Sequence, residues 1–250
     1  MKRRRWALLA AAFWPAFALW PACAWAGPPY VTDDPEPTDR GHWEIYNFVL
    51  GAHTPGDTAG ESGVDLNYGG FKDTQLTLTL PFAYDRADGR TATGMGVIEA
   101  AAKYKFIHQD KDGWTPDVAV FPRFFVPTAP ARFASRRLNL LLPVWAQKDF
   151  GDWSVFGGGG YELNPGPENR NFWVSGLTVT RQVNDRLNIG AEVFHQTRDA
   201  ADGRAFTGAN LGMIYKLTDH WALLTAGGPG LQNARQGGQY QFYVALEATY

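Results

Sequence analysis

The chain has 250 residues, of which 45% are hydrophobic, 14% aromatic and 19% charged, and its formal net charge is −2 at pH 7. A single cysteine excludes a disulfide framework and a thiolate metal cluster, and the slightly acidic balance excludes the basic face that nucleic acid selects. After the first 26 residues no stretch of about 18 apolar residues follows, so a spanning helix is excluded there as well.

Residues 1–26 read as a secretory signal peptide. Lys2, Arg3, Arg4 and Arg5 form the positive region, Trp6 to Trp20 carries no charge, and Ala24-Trp25-Ala26 offers small residues at −3 and −1 of a cut before Gly27. An uncleaved membrane helix is the rival reading, disfavoured by Pro15, Pro21 and the cleavage site. A lipoprotein reading through Cys23 lacks a Leu-like residue at Trp20. Cleavage removes four basic residues and the cysteine, so Lys and Arg fall from 23 to 19 against 25 acidic residues and the formal charge moves from −2 to −6.

Residues 27–41 are Pro-rich and acidic, with Asp33, Asp34, Glu36 and Asp39. This segment is no strand and reads as a periplasmic N-terminal segment or one folded into a barrel mouth. Its carboxylates suit a solvated leader or a divalent-cation site.

From residue 42 to 250 the dominant signal is period two. A strand sends alternate side chains to opposite faces, so apolar residues at every second position mean one greasy face. Leu76, Leu78, Leu80, Phe82 and Tyr84 alternate with Gln75, Thr77 and Thr79. The pattern returns at Leu187, Ile189, Ala191, Val193, at Ala209, Leu211, Met213, Tyr215, Leu217, and at Tyr240, Phe242, Val244, Leu246, Ala248, Tyr250. Twelve strands are predicted near 42–51, 63–70, 74–84, 95–107, 114–126, 136–148, 152–163, 171–183, 186–197, 206–217, 220–227 and 239–250. Short turns (70–73, 149–151, 184–185, 218–219) and a somewhat longer one at 108–113 alternate with long connections near 52–62, 85–94, 127–135, 164–170, 198–205 and 228–238.

Short turns at one end and long loops at the other predict an all-β fold, a transmembrane antiparallel β-barrel with short periplasmic turns and longer extracellular loops. Closure leaves no backbone group unpaired in lipid, and a polar inner face accounts for a mean hydropathy of only −0.29. Trp43, Trp114, Trp153 and Trp221 fall at predicted periplasmic strand ends, with Trp145 a few residues from one and Trp173 beside an outside loop. They are the expected headgroup girdle. Tyr250 ends the last strand as an outward aromatic, the feature outer-membrane assembly machinery reads.

Parity assigns a polar inner face: Asp65, Asn67, Gln75, Thr77, Thr79, Glu99, Lys103, Lys105, Arg123, Asn139, Gln147, Glu162, Thr178, Asn188, Glu192, Asn210, Lys216 and Glu247. Phe121, Phe125, Trp145 and Phe156 share it as a track for an apolar solute or as filling. The first strand resists assignment, because Glu44, Tyr46, Phe48 and Leu50 share one face. About eight strands make a filled barrel and 16–18 an aqueous pore, so twelve leaves an open bore and a plugged one equally open. For chemistry the residues offer little. His195 has outward parity with Ser154 and Ser175 on neighbouring strands, but no motif marks an activated serine. Gly157 to Gly160 lacks the Lys-Ser/Thr of a phosphate loop and reads instead as a bend or a close approach to a large neighbour.

Several blocks carry a family resemblance. They are Val31-Thr32-Asp33-Asp34-Pro35 with Gly41-His42-Trp43-Glu44-Ile45, Val64-Asp65-Leu66-Asn67-Tyr68-Gly69, and Phe121-Pro122-Arg123 with Pro127-Thr128. Leu142 to Lys148, Gly151-Asp152-Trp153, Gly157 to Tyr161, Asn164-Pro165-Gly166 and Gly190 to Thr197 continue them. Over almost the whole exported chain they resemble the outer-membrane "MetA-pathway of phenol degradation" family. The resemblance implies a transporter-like barrel passing small molecules, aromatic or hydrophobic ones among them, and supplies no binding residues. The expected function is therefore a channel without enzymatic turnover in a Gram-negative outer membrane. A lipid-modifying enzyme and a structural or surface-interaction barrel are the alternatives. Expected partners are membrane lipid, a small-molecule solute and the assembly machinery, with no cofactor, metal or nucleic acid.

Overall fold

The computed structural model describes residues 28–250 apart from Asp88 and Ser135; the expected signal peptide at 1–26 lies outside them. Fourteen strands form one antiparallel sheet: β1 (Trp43–Thr54), β2 (Asp57–Phe71), β3 (Thr74–Ala87), β4 (Arg90–Met95), β5 (Ile98–Ile107), β6 (Asp117–Val120), β7 (Arg123–Val126), β8 (Asn139–Phe150), β9 (Trp153–Leu163), β10 (Phe172–Asn184), β11 (Leu187–Gln196), β12 (Phe206–Lys216), β13 (Trp221–Gln232) and β14 (Tyr240–Thr249). β1 pairs with β14 from Glu44↔Thr249 to His53↔Tyr240, so the sheet closes on itself.

Four of these strands are halves of two staves. β4 and β5 pair with successive stretches of β3, from Ala87↔Arg90 to Phe82↔Met95 and from Thr79↔Glu99 to Thr74↔Tyr104. β6 and β7 both lie between β5 and β8. The barrel therefore has twelve staves, the number the periodicity predicts. Proline causes the interruption: Pro122 has no N–H to give its ladder, and Pro81 and Pro143 stand on the adjacent staves. Single bonds stitch the gap, with Gly96 N donating to Pro81 O (2.9 Å), Ala102 N to Pro122 O (3.2 Å) and Phe121 N to Pro143 O (3.1 Å).

Both ends of the barrel chain, Trp43 and Tyr250, meet at one rim, here called proximal, through Trp43 N to Tyr250 O at 2.8 Å. The distal rim differs from expectation in three places. Residues 52–62 and 85–94 are not long loops: Thr54↔Asp57 and Ala87↔Arg90 close tight hairpins. Gly56 (φ 88°) and Gly89 (φ 73°) supply the left-handed backbone those turns need. The flanking strands carry Asp57, Asp85 and Arg86 because they run beyond the apolar band, where polar residues no longer mark a loop. β13 likewise continues through Pro229 to Gln232, and the connection after it holds a short helix, α1 (Ala234–Gly237). No described helix is long and apolar enough to cross a membrane.

The outward face is the greasy one, with Leu76, Leu78, Leu80, Phe82, Ile189, Val193, Leu211, Val244 and Leu246 exposed. Trp43 (against Tyr68, 4.7 Å between rings), Trp153 and Trp221 line the proximal rim. Trp145 does not join them. It is 1% exposed inside the barrel, over Gly158, where a β-carbon would meet its Cε3 at 3.1 Å. The tetraglycine is thus the close approach expected of it.

Candidate functional site

The interior has two unlike walls. On β1, β13 and β14 the inward residues Tyr46, Phe48, Leu50, Leu224, Tyr243 and Ala245 form an apolar cluster, joined by Ile214 of β12. This resolves the first strand: Val49 is exposed and its even-numbered neighbours point inward. The polar candidates gather mainly elsewhere. Asn67, Gln75, Thr77, Glu99, Lys103, Lys105, Arg123, Glu162, Thr178, Glu192 and Asn210 are buried, and Asp65, Thr79, Asn139, Gln147, Asn188 and Glu247 are half-buried. Lys216 is exposed at the proximal rim.

These side chains bond to one another. Arg123 grips Glu99 with two hydrogen bonds, Nε to Oε1 at 2.6 Å and Nη2 to Oε2 at 2.7 Å. Its guanidinium also lies 5.4 Å from the Phe121 ring centre and 5.6 Å from that of Phe125. Gln75 Nε2 and Thr77 Oγ1 both donate to Asn67 Oδ1, Thr79 Oγ1 donates to Asp65 Oδ1, and Asn139 Nδ2 donates to Glu162 Oε1. Toward the distal rim, Arg123 Nη1, Asn139 Oδ1 and Glu162 Oε2 are buried with no hydrogen-bond partner.

The feature that sequence reasoning left undecided is the segment 27–41. Over its described residues it is no free periplasmic leader: it runs into the barrel and crosses it as a strap. It enters beside β2, where Arg40 bridges Gly69 and Gly41 N donates to Gly69 O at 2.7 Å. Thr38 N and Oγ1 then donate to Gln75 Oε1 at 2.9 and 3.1 Å. Lys105 Nζ reaches Glu36 Oε2 at 2.5 Å, and Lys103 Nζ reaches Asp33 Oδ1 at 3.0 Å and Glu36 O at 3.3 Å. Of the acidic residues expected as a solvated leader or a cation site, Asp33, Asp34 and Glu36 therefore face ammonium groups.

On the opposite wall Glu192 caps the strap. Its Oε1 accepts Thr32 N, and its Oε2 accepts Val31 N at 3.2 Å and Asn210 Nδ2 at 2.8 Å. Tyr30 lies beyond, edge-on to Phe156 with ring centres 6.2 Å apart. Glycines make room for the strap. A β-carbon on Gly176 would stand 1.9 Å from Thr32 Oγ1, on Gly190 2.4 Å from Tyr30 Oη, and on Gly69 2.0 Å from Asp39 O. Burial pushes the Tyr30 phenol well up, and Glu192 beside it adds to the effect. Burial also raises the Asp33 carboxyl, while the Lys103 ammonium pulls it back.

On the outer face Ser175 stands opposite His195 in the β10–β11 register. The His195 Nδ1 shares a 2.8 Å hydrogen bond with Thr207 Oγ1, and Thr207 Oγ1 donates to Gln232 Oε1 at 2.9 Å.

No protein-family model matches the sequence, and no curated protein matches it. Solved structures do. The chain is similar to an outer membrane channel from Pseudomonas putida F1 at 14% identity, with a TM-score of 0.68 over 87% of this chain and 98% of that one. It is similar to the NanC porin at 12% identity, with a TM-score of 0.54 over 81% of this chain and 98% of that one. Outer membrane phospholipase A from Escherichia coli aligns at 13% identity with a TM-score of 0.44, over 84% and 89% of the two chains. At these identities the likeness shows the fold, that of an outer-membrane β-barrel.

Proposed function

We propose that the chain is an outer-membrane channel for small molecules, aromatic or hydrophobic ones among them, whose bore is closed by its own N-terminal strap. The observation that carries this reading is the strap itself. Asp33, Thr38 and the Val31 and Thr32 amides are held by single polar side chains on opposite walls, with a small apolar cluster of Tyr30, Phe156 and Ala226 at the far end. A barrel with a purely structural role fills its interior with wall side chains, as the β1, β13 and β14 wall does here. A barrel that conducts needs an interior that can be vacated. The likeness to the Pseudomonas putida outer membrane channel supports the reading, and so does the resemblance of the sequence blocks to the family to which we assign the chain. Residues of the polar wall, from Gln75 and Lys103 to Glu162 and Glu192, would line the path.

Single-channel recording of the refolded protein in planar bilayers tests this. Discrete steps are expected, rare for the native chain and frequent when the strap is loosened. Absence of steps and of solute-driven liposome swelling, in native and loosened forms alike, would overturn it. The second reading is a lipid-modifying enzyme, favoured by the outward Ser175–His195 pair. Fatty-acid release from phospholipid that disappears in Ser175→Ala would replace the channel reading with that one.

A further inference from the structure

Lys103 and Lys105 lie two positions apart on the inner face of β5, with side chains 5% and 9% exposed. Two ammonium groups taken out of water need compensating charge. For Lys103 the hydrogen-bonded compensation comes from the strap: Asp33 at 3.0 Å and Glu36 O at 3.3 Å, with Asp34 at 3.7 Å. For Lys105 it is Glu36 at 2.5 Å, with the wall's own Asp117 only at 3.8 Å. Arg123, by contrast, is matched by Glu99 on the wall. The lysine pair is thus the part of the wall whose charge is balanced mainly by something that can leave.

Two further observations indicate what replaces it. Glu36 is 59% exposed in its side chain, so the Lys105 contact is partly hydrated and exchanges with a dissolved carboxylate at smaller cost than the buried Lys103–Asp33 pair, whose side chains are 5% and 3% exposed. Beside the pair lies the Phe121 ring, 3% exposed while the strap is seated, 5.1 Å from Lys103 Nζ and 5.4 Å from the Arg123 guanidinium. A cation flanking an aromatic face suits a molecule with a carboxylate at one end and a ring at the other.

Resting on the channel reading, we infer that Lys103 and Lys105 form an anion-binding site of the solute path, that the strap carboxylates occupy it as internal competitors, and that the solute displacing them is a small aromatic carboxylate. The test uses the full chain in planar bilayers, with benzoate, the neutral benzamide and the non-aromatic cyclohexanecarboxylate as probes. Benzoate should raise the open probability about tenfold or more at saturating concentration, benzamide should leave it unchanged, and cyclohexanecarboxylate should act more weakly. Lys103→Gln should open more often unprompted, lose the benzoate response and lose anion preference in its reversal potential. Lys105→Gln should weaken the same response and serves if Lys103→Gln does not assemble, as judged by heat-modifiable migration. If benzamide equals benzoate, or the lysine variants keep the full response, the anion site is refuted while the measured conductance leaves the channel standing. Equal potency of cyclohexanecarboxylate would refute the aromatic part. Absence of conductance even in Asp33→Asn with Glu36→Gln would remove the channel reading and this inference with it.

Discussion

Replacing Glu192 by Gln should loosen the strap without emptying the barrel. The carboxylate accepts both backbone amides at the strap's far end, Val31 N and Thr32 N, as well as Asn210 Nδ2. A carboxamide keeps one acceptor oxygen and presents an N–H₂ to the other amide. The change therefore removes one charge-assisted bond and weakens its neighbour. A hydrogen bond to a charged group contributes about 1.5–3 kcal/mol, so a loss of about 2–3 kcal/mol lowers the seated-to-free ratio by about 30- to 150-fold. Tyr30 packing and the Lys103–Asp33 pair persist, so the native seating remains one state among two. A cysteine at Val31 in the processed chain reports on it. Its labelling by a membrane-impermeant maleimide should accelerate by that factor when Glu192→Gln is added, and the open probability should rise in parallel. A labelling rate within about twofold of the Val31→Cys parent, with Lys103→Met still accelerating it, would show that Glu192 does not hold the strap.

Three shorter expectations follow from other contacts. Gly176→Ala places a methyl 1.9 Å from Thr32 Oγ1, so it should raise channel opening, and Thr32→Gly in the same chain should reverse the effect. Gly158→Ala should lower the urea midpoint of the folded barrel by an amount equivalent to about 1–3 kcal/mol. The residue holds φ 150° and a β-carbon there meets Val144 O at 2.1 Å, whereas Gly151→Ala, at φ 63° with open space around it, should cost less. Leu211→Arg puts a charge on the lipid face of β12 and should destabilise the barrel by about 2–4 kcal/mol if that position lies near mid-membrane, read by the same titration; an unchanged midpoint would count against lipid contact there.

Much of the cylinder could be read from residue order because lipid imposes a rule that repeats every second residue. Leu76 to Tyr84 and Tyr240 to Tyr250 obey it along most of their length, and the twelve staves appear as expected. The rule fails where its cause ends. Beyond the apolar band Asp57 and Asp85 extend strands that look like loops. At Pro122 a stave breaks though its alternation continues. On β1 the inner wall is itself apolar, so Tyr46, Phe48 and Leu50 could not be sided by parity. Trp145 followed the polar count inward, not the girdle. The strap's path was hidden for a different reason. Glu192 meets Val31 across 161 positions, and the glycines that admit it, Gly69, Gly176 and Gly190, lie on three separate strands. No local pattern records a contact of that range.

The strap joins β1 directly, and β1 is half of the seam that shuts the cylinder against β14. The described part of the strap ends inside the barrel, with Pro29 and Tyr30 buried. Fusing a reporter or purification tag at that position would wedge the passage or keep the segment from docking, whereas a tag in the distal connection 197–205 would leave both undisturbed. Biogenesis meets the same topological demand: the segment has to be tucked in before the first and last strands zip together, or else thread through the proximal mouth afterwards.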